Sequence, residues 1–174
     1  MPLPHLTLVL GGAASGKSNF AETLCYQAGK PRVYVATAQA FDDEMRQKIS
    51  DHQAQRGEKW LTIEAPIDVA AGLETRKADE IVLLDCATLW LSNVLLTDQD
   101  TDIAATGLLA SLLTCPAQVI VVSNEVGGGI VPENALARKF RNAQGRLNRR
   151  LAAEAGLVVQ VIAGLPQVLK GTLP

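Results

Sequence analysis

The sequence predicts one α/β domain: a mainly parallel sheet with helices on both faces. Three observations predict it. Strand-like and helix-like stretches alternate from end to end. The strand-like runs, such as "VIVV" and "IVLL", are continuous and β-branched rather than alternating, which marks strands buried on both faces. A chain of 174 residues suits one sizeable core with little room for a second, so residues 1–174 are read as a single domain.

The elements follow in order. "HLTLVL" is the first apolar strand, and residues 17–28 fit a helix. "RVYVAT" is the second strand, and residues 42–55 are helical, with Asp42 or Asp43 placed to cap them. "KWLTIEA" is a short strand, after which Asp68 caps a helix over 69–77. "EIVLLDC" is a buried strand followed by helical material over 87–96 and 102–113. "AQVIVVS" precedes the break "GGGIVP", and a long helix covers 133–155. "LVVQVIAG" closes the series, leaving a short tail to Pro174.

The chain is 48% hydrophobic and 20% charged, with a net charge of -2, which gives no reason to expect nucleic acid as a partner. No apolar run is long enough to span a bilayer, and the N-terminus carries no export signal, so a cytoplasmic protein is expected. Cys25, Cys86 and Cys115 are odd in number and lack CxxC spacing. They read as small buried hydrophobes in a reducing compartment.

The stretch "GGAASGKS" carries the clearest chemistry. Gly11, Gly16, Lys17 and Ser18 satisfy G-x-x-x-x-G-K-[ST], with Gly12, Ala13, Ala14 and Ser15 completing the loop between a strand and a helix. Glycines let the backbone N–H groups turn inward around phosphates, and the helix N-terminus adds partial positive charge. Lys17 would reach the terminal phosphates and the Ser18 hydroxyl would bind Mg2+. An acid at the end of another buried strand, Asp85, would orient Mg2+ or its waters. The domain is therefore of the P-loop NTPase type, binding a purine nucleoside triphosphate with Mg2+. Kinases, ATPases and switch proteins share that grip.

Of the two histidines, His5 precedes the first strand and reads as incidental. Phe41, Met45, Ile49 and His52 fall on one helical face, with Arg56 one turn on. Two readings of His52 stay open: a hydrogen-bonded residue at the edge of a packed face, or a nucleophile that attacks phosphorus and passes the group on.

"GGAASGKS", "YVATAQAFDDEMRQKISDHQAQRGEKW", "SNEVGGGIVPENALARKFRNAQGRLNRRLA" and "VIAGLPQVLK" together resemble the bifunctional adenosylcobinamide kinase/adenosylcobinamide-phosphate guanylyltransferase family of cobalamin biosynthesis, over nearly the whole chain. The resemblance implies two reactions. ATP or GTP phosphorylates adenosylcobinamide. GTP then guanylylates a histidine, which hands GMP to adenosylcobinamide phosphate. By resemblance the histidine is His52, and the nucleotide site includes Gly11 to Ser18, Ala36, Thr37, Ala38, Gln53, Ala54, Gln55 and Arg56. Glu64 and Asp85 would contact the guanine nucleotide or its metal. The resemblance also implies a homotrimer.

Two positions depart from the family pattern. Many relatives place Arg where this chain has Ala14, and a basic or second imidazole residue where it has Asp51. A carboxylate beside His52 would favour imidazolium, unless the 100° between adjacent helix positions turns it away. Asn124 and Glu125 follow a strand, where α/β sheets place ligands; Glu125 reads equally as a general base or a cap. On the long helix, Leu136, Phe140, Leu147 and Leu151 form an apolar face. Around them stand Arg138, Lys139, Arg141, Arg146, Arg149 and Arg150, read as a solvated face, a subunit contact or a site for an anionic substrate. Two other activities remain open: a small-molecule kinase lacking the guanylyl step, and a nucleotide-dependent switch protein.

Overall fold

The computed structural model describes residues 2–39 and 59–174. The expected helix over 42–55, and with it Asp51, His52, Gln53, Ala54, Gln55 and Arg56, lies outside them.

The described chain runs β1 (Leu6–Gly11), α1 (Lys17–Gln27), β2 (Arg32–Ala36), β3 (Trp60–Glu64), α2 (Val69–Glu74) and β4 (Ile81–Asp85). It continues with α3 (Ala87–Leu96), α4 (Thr101–Thr114), β5 (Gln118–Asn124), α5 (Ala135–Glu154), β6 (Leu157–Ile162) and β7 (Leu165–Lys170). The strands form one seven-stranded sheet in the order β3-β2-β4-β5-β1-β6-β7. Neighbours pair in parallel except β6 with β7, which are antiparallel.

Alternation along the strands divides the core into two layers. Val9, Leu83, Ile120, Val122 and Val159 face α1, which seats Ala21, Leu24 and Cys25 against them. Leu8, Val82, Leu84, Val119 and Val121 face the opposite way, under α2, α3, α4 and α5. Both faces are covered, so the inner strands read as unbroken apolar runs. Leu84 is 0% exposed at the centre of the second layer. Leu84→Ala is expected to lower unfolding stability by about 2–5 kcal/mol, since its cavity cannot close among rigid strands. Urea denaturation checks this; an unchanged midpoint would contradict that packing.

Local signals explain the helix starts. The Asp68 side chain accepts from Ala71 N–H at 3.2 Å, Asp100 from Asp102 and Ile103, and Asn134 from Ala137. The helix after Asp68 ends at Glu74, shorter than the expected 69–77.

Two expectations need correction. The stretch after β6 is not a tail but an edge strand, β7. Ala163 and Gly164 have φ of 52° and 78°, the paired left-handed conformation of a two-residue hairpin turn. Alanine there and Pro166 within the strand both hide the hairpin from a sequence reading. The apolar face of α5 is also shorter than expected: Leu147 and Leu151 are buried, whereas Leu136 is 52% exposed. A 20-residue helix is about 30 Å long against about 20 Å for a six-residue strand, so the start of α5 overshoots the sheet.

Candidate active site

Parallel pairing brings the carboxyl ends of six strands to one edge. In register, Glu64 faces Ala36, Ala36 faces Asp85, and Gly11 faces both Asn124 and Val161. The phosphate loop leaves β1 at this edge and is anchored from two sides. Glu125 N–H donates to the Gly11 carbonyl at 3.0 Å, and Gly164 N–H of the β6–β7 turn donates to the Ser15 carbonyl at 2.8 Å. Within the loop Ser15 N–H donates to the Gly12 carbonyl at 3.3 Å, and Lys17 Nζ donates to the same carbonyl at 3.0 Å.

Backbone conformation makes the loop a cradle. Gly16, the residue just before α1, has a φ of 89°, and a Cβ there would lie 3.2 Å from the Gly164 Cα. Among the described residues no side chain caps α1, so its first N–H groups are open to an anion. Ala14 is also left-handed, with a φ of 53°, a conformation that costs an L-residue about 1–2 kcal/mol.

The other expected residues fall at graded distances. β5 separates β1 from β4, so Asp85 stands two strand spacings, about 10 Å, from the phosphate-loop strand. Its carboxylate accepts from the Tyr34 hydroxyl at 3.1 Å. Glu64 is exposed on the far edge, four spacings or about 19 Å across the sheet. Thr37 is fully buried and its groups serve the fold. Its Oγ1 donates to the Cys86 carbonyl at 2.7 Å and accepts from Cys86 N–H at 2.8 Å, while Asn93 donates to its carbonyl at 2.9 Å. Thr37 therefore locks the end of β2 to the residue after Asp85. Thr37→Val keeps the shape but strands both Cys86 groups, with an expected loss of about 1–3 kcal/mol. Chemical denaturation reads this directly; full stability in the variant would remove the clamp.

Glu125 behaves as a local cap: its carboxylate accepts from Gly127 N–H. The neighbouring Asn124 rests on a polar cluster that the sequence reading missed. Asn124 N–H donates to Thr88 Oγ1 at 2.7 Å, and Asn148 donates to its carbonyl at 3.0 Å. Ser123 donates to Asn148 Oδ1 at 2.6 Å, and Gln144 donates to both Ser123 and Asn148 at 2.9 Å. Gln144 and Asn148, four apart on the same side of α5 as Leu147 and Leu151, were the available signal. The cluster ties α3, β5 and α5 together beside the phosphate loop.

The cysteines are free and buried. Burial pushes the Cys25 thiol up to about 12. Cys86 rises to about 11, mainly through burial, with the Asp85 carboxylate adding to it and Lys17 among the opposing influences. Such thiols pack rather than react.

For Mg2+, Ser18 and Asp85 supply hard oxygen donors of the right kind at this edge. Among the described residues no group of three or more His, Cys, Asp or Glu gathers to hold a metal alone. A Mg2+ here would take most of its ligands from nucleotide phosphates and water.

A phosphate loop at the carboxyl edge of a parallel sheet, beside an acid-tipped strand, defines a nucleotide-binding protein of the P-loop class. FlaH, a flagellar accessory protein of Methanocaldococcus jannaschii, shares this fold with a TM-score of 0.52 at 16% identity, over 99% of this chain and 80% of its own. The family is more particular. Residues 7–169 match the model of the cobinamide kinase/cobinamide phosphate guanyltransferase family, and the chain belongs to that family. It is 44% identical over 167 residues to the bifunctional adenosylcobalamin biosynthesis protein CobP of Pseudomonas aeruginosa, covering 94% of this chain and 96% of the relative. It is 41% identical over 182 residues to the CobU protein of Salmonella typhimurium, of the same description, covering 95% and 99%.

Proposed function

We propose that this chain phosphorylates adenosylcobinamide with ATP or GTP and then transfers GMP from GTP to adenosylcobinamide phosphate through His52. The observation that carries the reading is an intact phosphate cradle in a chain of this family. The Gly11–Ser18 loop, open α1 N-terminus and Lys17 would hold the triphosphate, and Ser18 with Asp85 would hold Mg2+, which neutralises phosphate charge when bound. Ala36, Thr37 and Ala38 then form the rim between loop and acid, with the Thr37 side chain setting the backbone rather than touching nucleotide. Gln53, Ala54, Gln55, Arg56 and Glu64 are assigned to the guanine nucleotide by family resemblance.

In the second reaction the His52 imidazole attacks the α-phosphorus of GTP and pyrophosphate leaves with the bonding pair. The acceptor's phosphate oxygen next attacks the same phosphorus, the histidine–phosphorus bond breaks, and the free imidazole returns. A homotrimer belongs to the same reading, supported by apolar side chains on the β6–β7 hairpin, where Ile162 is 54% and Leu165 71% exposed. Incubation with Mg2+ and GTP labelled at the α-phosphate tests the reading. Acid-labile, base-stable label on the protein, chased off by adenosylcobinamide phosphate, is expected. Unlabelled wild-type protein would leave a kinase only.

A further inference from the structure

We infer that the arginine groove along α5 binds the phosphate monoester of the phosphorylated acceptor, a subsite distinct from the triphosphate cradle. The inference rests on the proposed two-step reading. A cavity of about 580 Å3 is lined by Arg141, Asn142, Gly145, Arg146 and Arg149 of α5, with Gly127 of the preceding loop as the facing wall. Its height in the molecule follows from one hydrogen bond. Asn148 donates to the carbonyl of Asn124, the last residue of β5, so this part of α5 stands level with the carboxyl edge of the sheet. Asn124 in turn faces Gly11, where the phosphate loop begins. The groove therefore stands at the height of the site, on the exposed side of α5.

Its three cations play different parts. Arg141 donates to the carbonyls of Gly127 and, at 3.1 Å, Gly129, which pins the loop as a wall. Arg146 meets Asp102 at 3.3 Å in a largely exposed pair, a contact that a better anion can displace at little cost. Arg149 is exposed and, among the described residues, has no hydrogen-bonding or ionic partner. Among the described residues nothing lies within 4 Å of where a Gly145 side chain would start, so the floor between the arginines is open. Among the described residues no carboxylate lines the cavity itself, Asp102 reaching Arg146 from beside it, and the nearby Glu125 is turned onto Gly127 N–H. Guanidinium groups bind phosphate oxygens in paired, directional hydrogen bonds, so an oxyanion of charge near two suits this lining.

Two phosphate-bearing species enter the proposed chemistry, the nucleoside triphosphate and the phosphorylated acceptor. The triphosphate already has Gly11 to Ser18, which leaves the acceptor's monoester. The cavity exceeds the volume of a bare phosphate and so admits the ester arm. The wall loop also presents Ile130, 96% exposed, and Val131, 63% exposed, as an apolar surface for the large body of such a substrate.

The test compares wild type with the double variant Arg146→Gln/Arg149→Gln; Arg141 is left to hold the loop. The KM for adenosylcobinamide phosphate in GMP transfer is expected to rise at least about tenfold, as is its equilibrium dissociation constant measured without GTP. The KM for unphosphorylated adenosylcobinamide should stay within about twofold, and protein labelling from GTP should be unchanged. Arg149→Lys should recover part of the loss, and wild-type affinity should fall with salt more steeply than that of the variant. Equal affinity for the phosphorylated acceptor in variant and wild type would overturn the groove, as would parallel losses for both acceptors. Absence of protein label in wild type would instead sink the histidine route, while the binding measurement still decides the groove.

Discussion

His52→Ala is expected to abolish GMP transfer while sparing phosphorylation of adenosylcobinamide. The protein should take no label from α-labelled GTP, and adenosylcobinamide-GDP formation should fall by a thousandfold or more, roughly the scale on which covalent catalysis fails when its nucleophile is removed. Kinase turnover should remain within about twofold, since attack on the γ-phosphate needs the cradle and not the imidazole. Product assays for both reactions on one preparation give the contrast. Retained label in the variant would move the nucleophile elsewhere; His5, whose ring contacts the Leu112 carbonyl at 3.1 Å beside α4, is badly placed to replace it.

Lys17→Ala should separate differently, lowering both reactions together. Lys17 is the cation proposed for the cradle, and among the described residues its Nζ meets the Gly12 carbonyl at 3.0 Å, so its removal breaks no core contact. Loss of a preorganised positive charge at the reacting phosphates is expected to cost each turnover roughly a hundredfold to a thousandfold. Thermal unfolding should be nearly unchanged, which separates lost chemistry from lost fold. Either activity persisting at wild-type rate would remove Lys17 from that reaction. Together the variants form a matrix: one residue common to both transfers, the other private to the second.

That matrix matters because kinase chemistry attacks the γ-phosphate and guanylyl transfer the α-phosphate. One cradle serves both if the acceptor approaches from separate places. The arginine groove offers a holding point for the phosphorylated acceptor that the unphosphorylated one does not need. A product of the first reaction would then bind differently from its precursor without any change in the cradle.

Parts of this were legible because they depend on neighbours in the chain. The phosphate loop needs only a strand, a glycine-rich turn and a helix in succession, and all its residues are contiguous. Alternating strands and helices announced the α/β class, and Asp68 announced its helix, because a cap acts within one turn. The β7 strand was not legible, since Ala163 takes a left-handed conformation for which the usual signal is glycine or asparagine. Thr37 entered the nucleotide site only by family resemblance, and its commitment to Cys86 was not legible because the two are far apart in the chain. The cluster of Thr88, Ser123, Gln144 and Asn148 draws on three elements, and only their packing makes four polar residues into one support.

Readable along the chain are a triphosphate-loop motif, an acid-tipped strand and a histidine in a segment that resembles the family's. Those are statements about residue types at fixed short spacings, where local geometry leaves few alternatives. Only the packed sheet sets the order of the strands, and with it the spacing of the described site residues. It inserted β5 between β1 and β4, setting Asp85 two spacings from the loop, and locked the β6–β7 turn onto Ser15. It also raised the start of α5 above the sheet edge, where Arg141 holds the loop carbonyls of Gly127 and Gly129. Strand order and helix height follow from which faces bury together, a condition on the whole chain that no short stretch of residues carries.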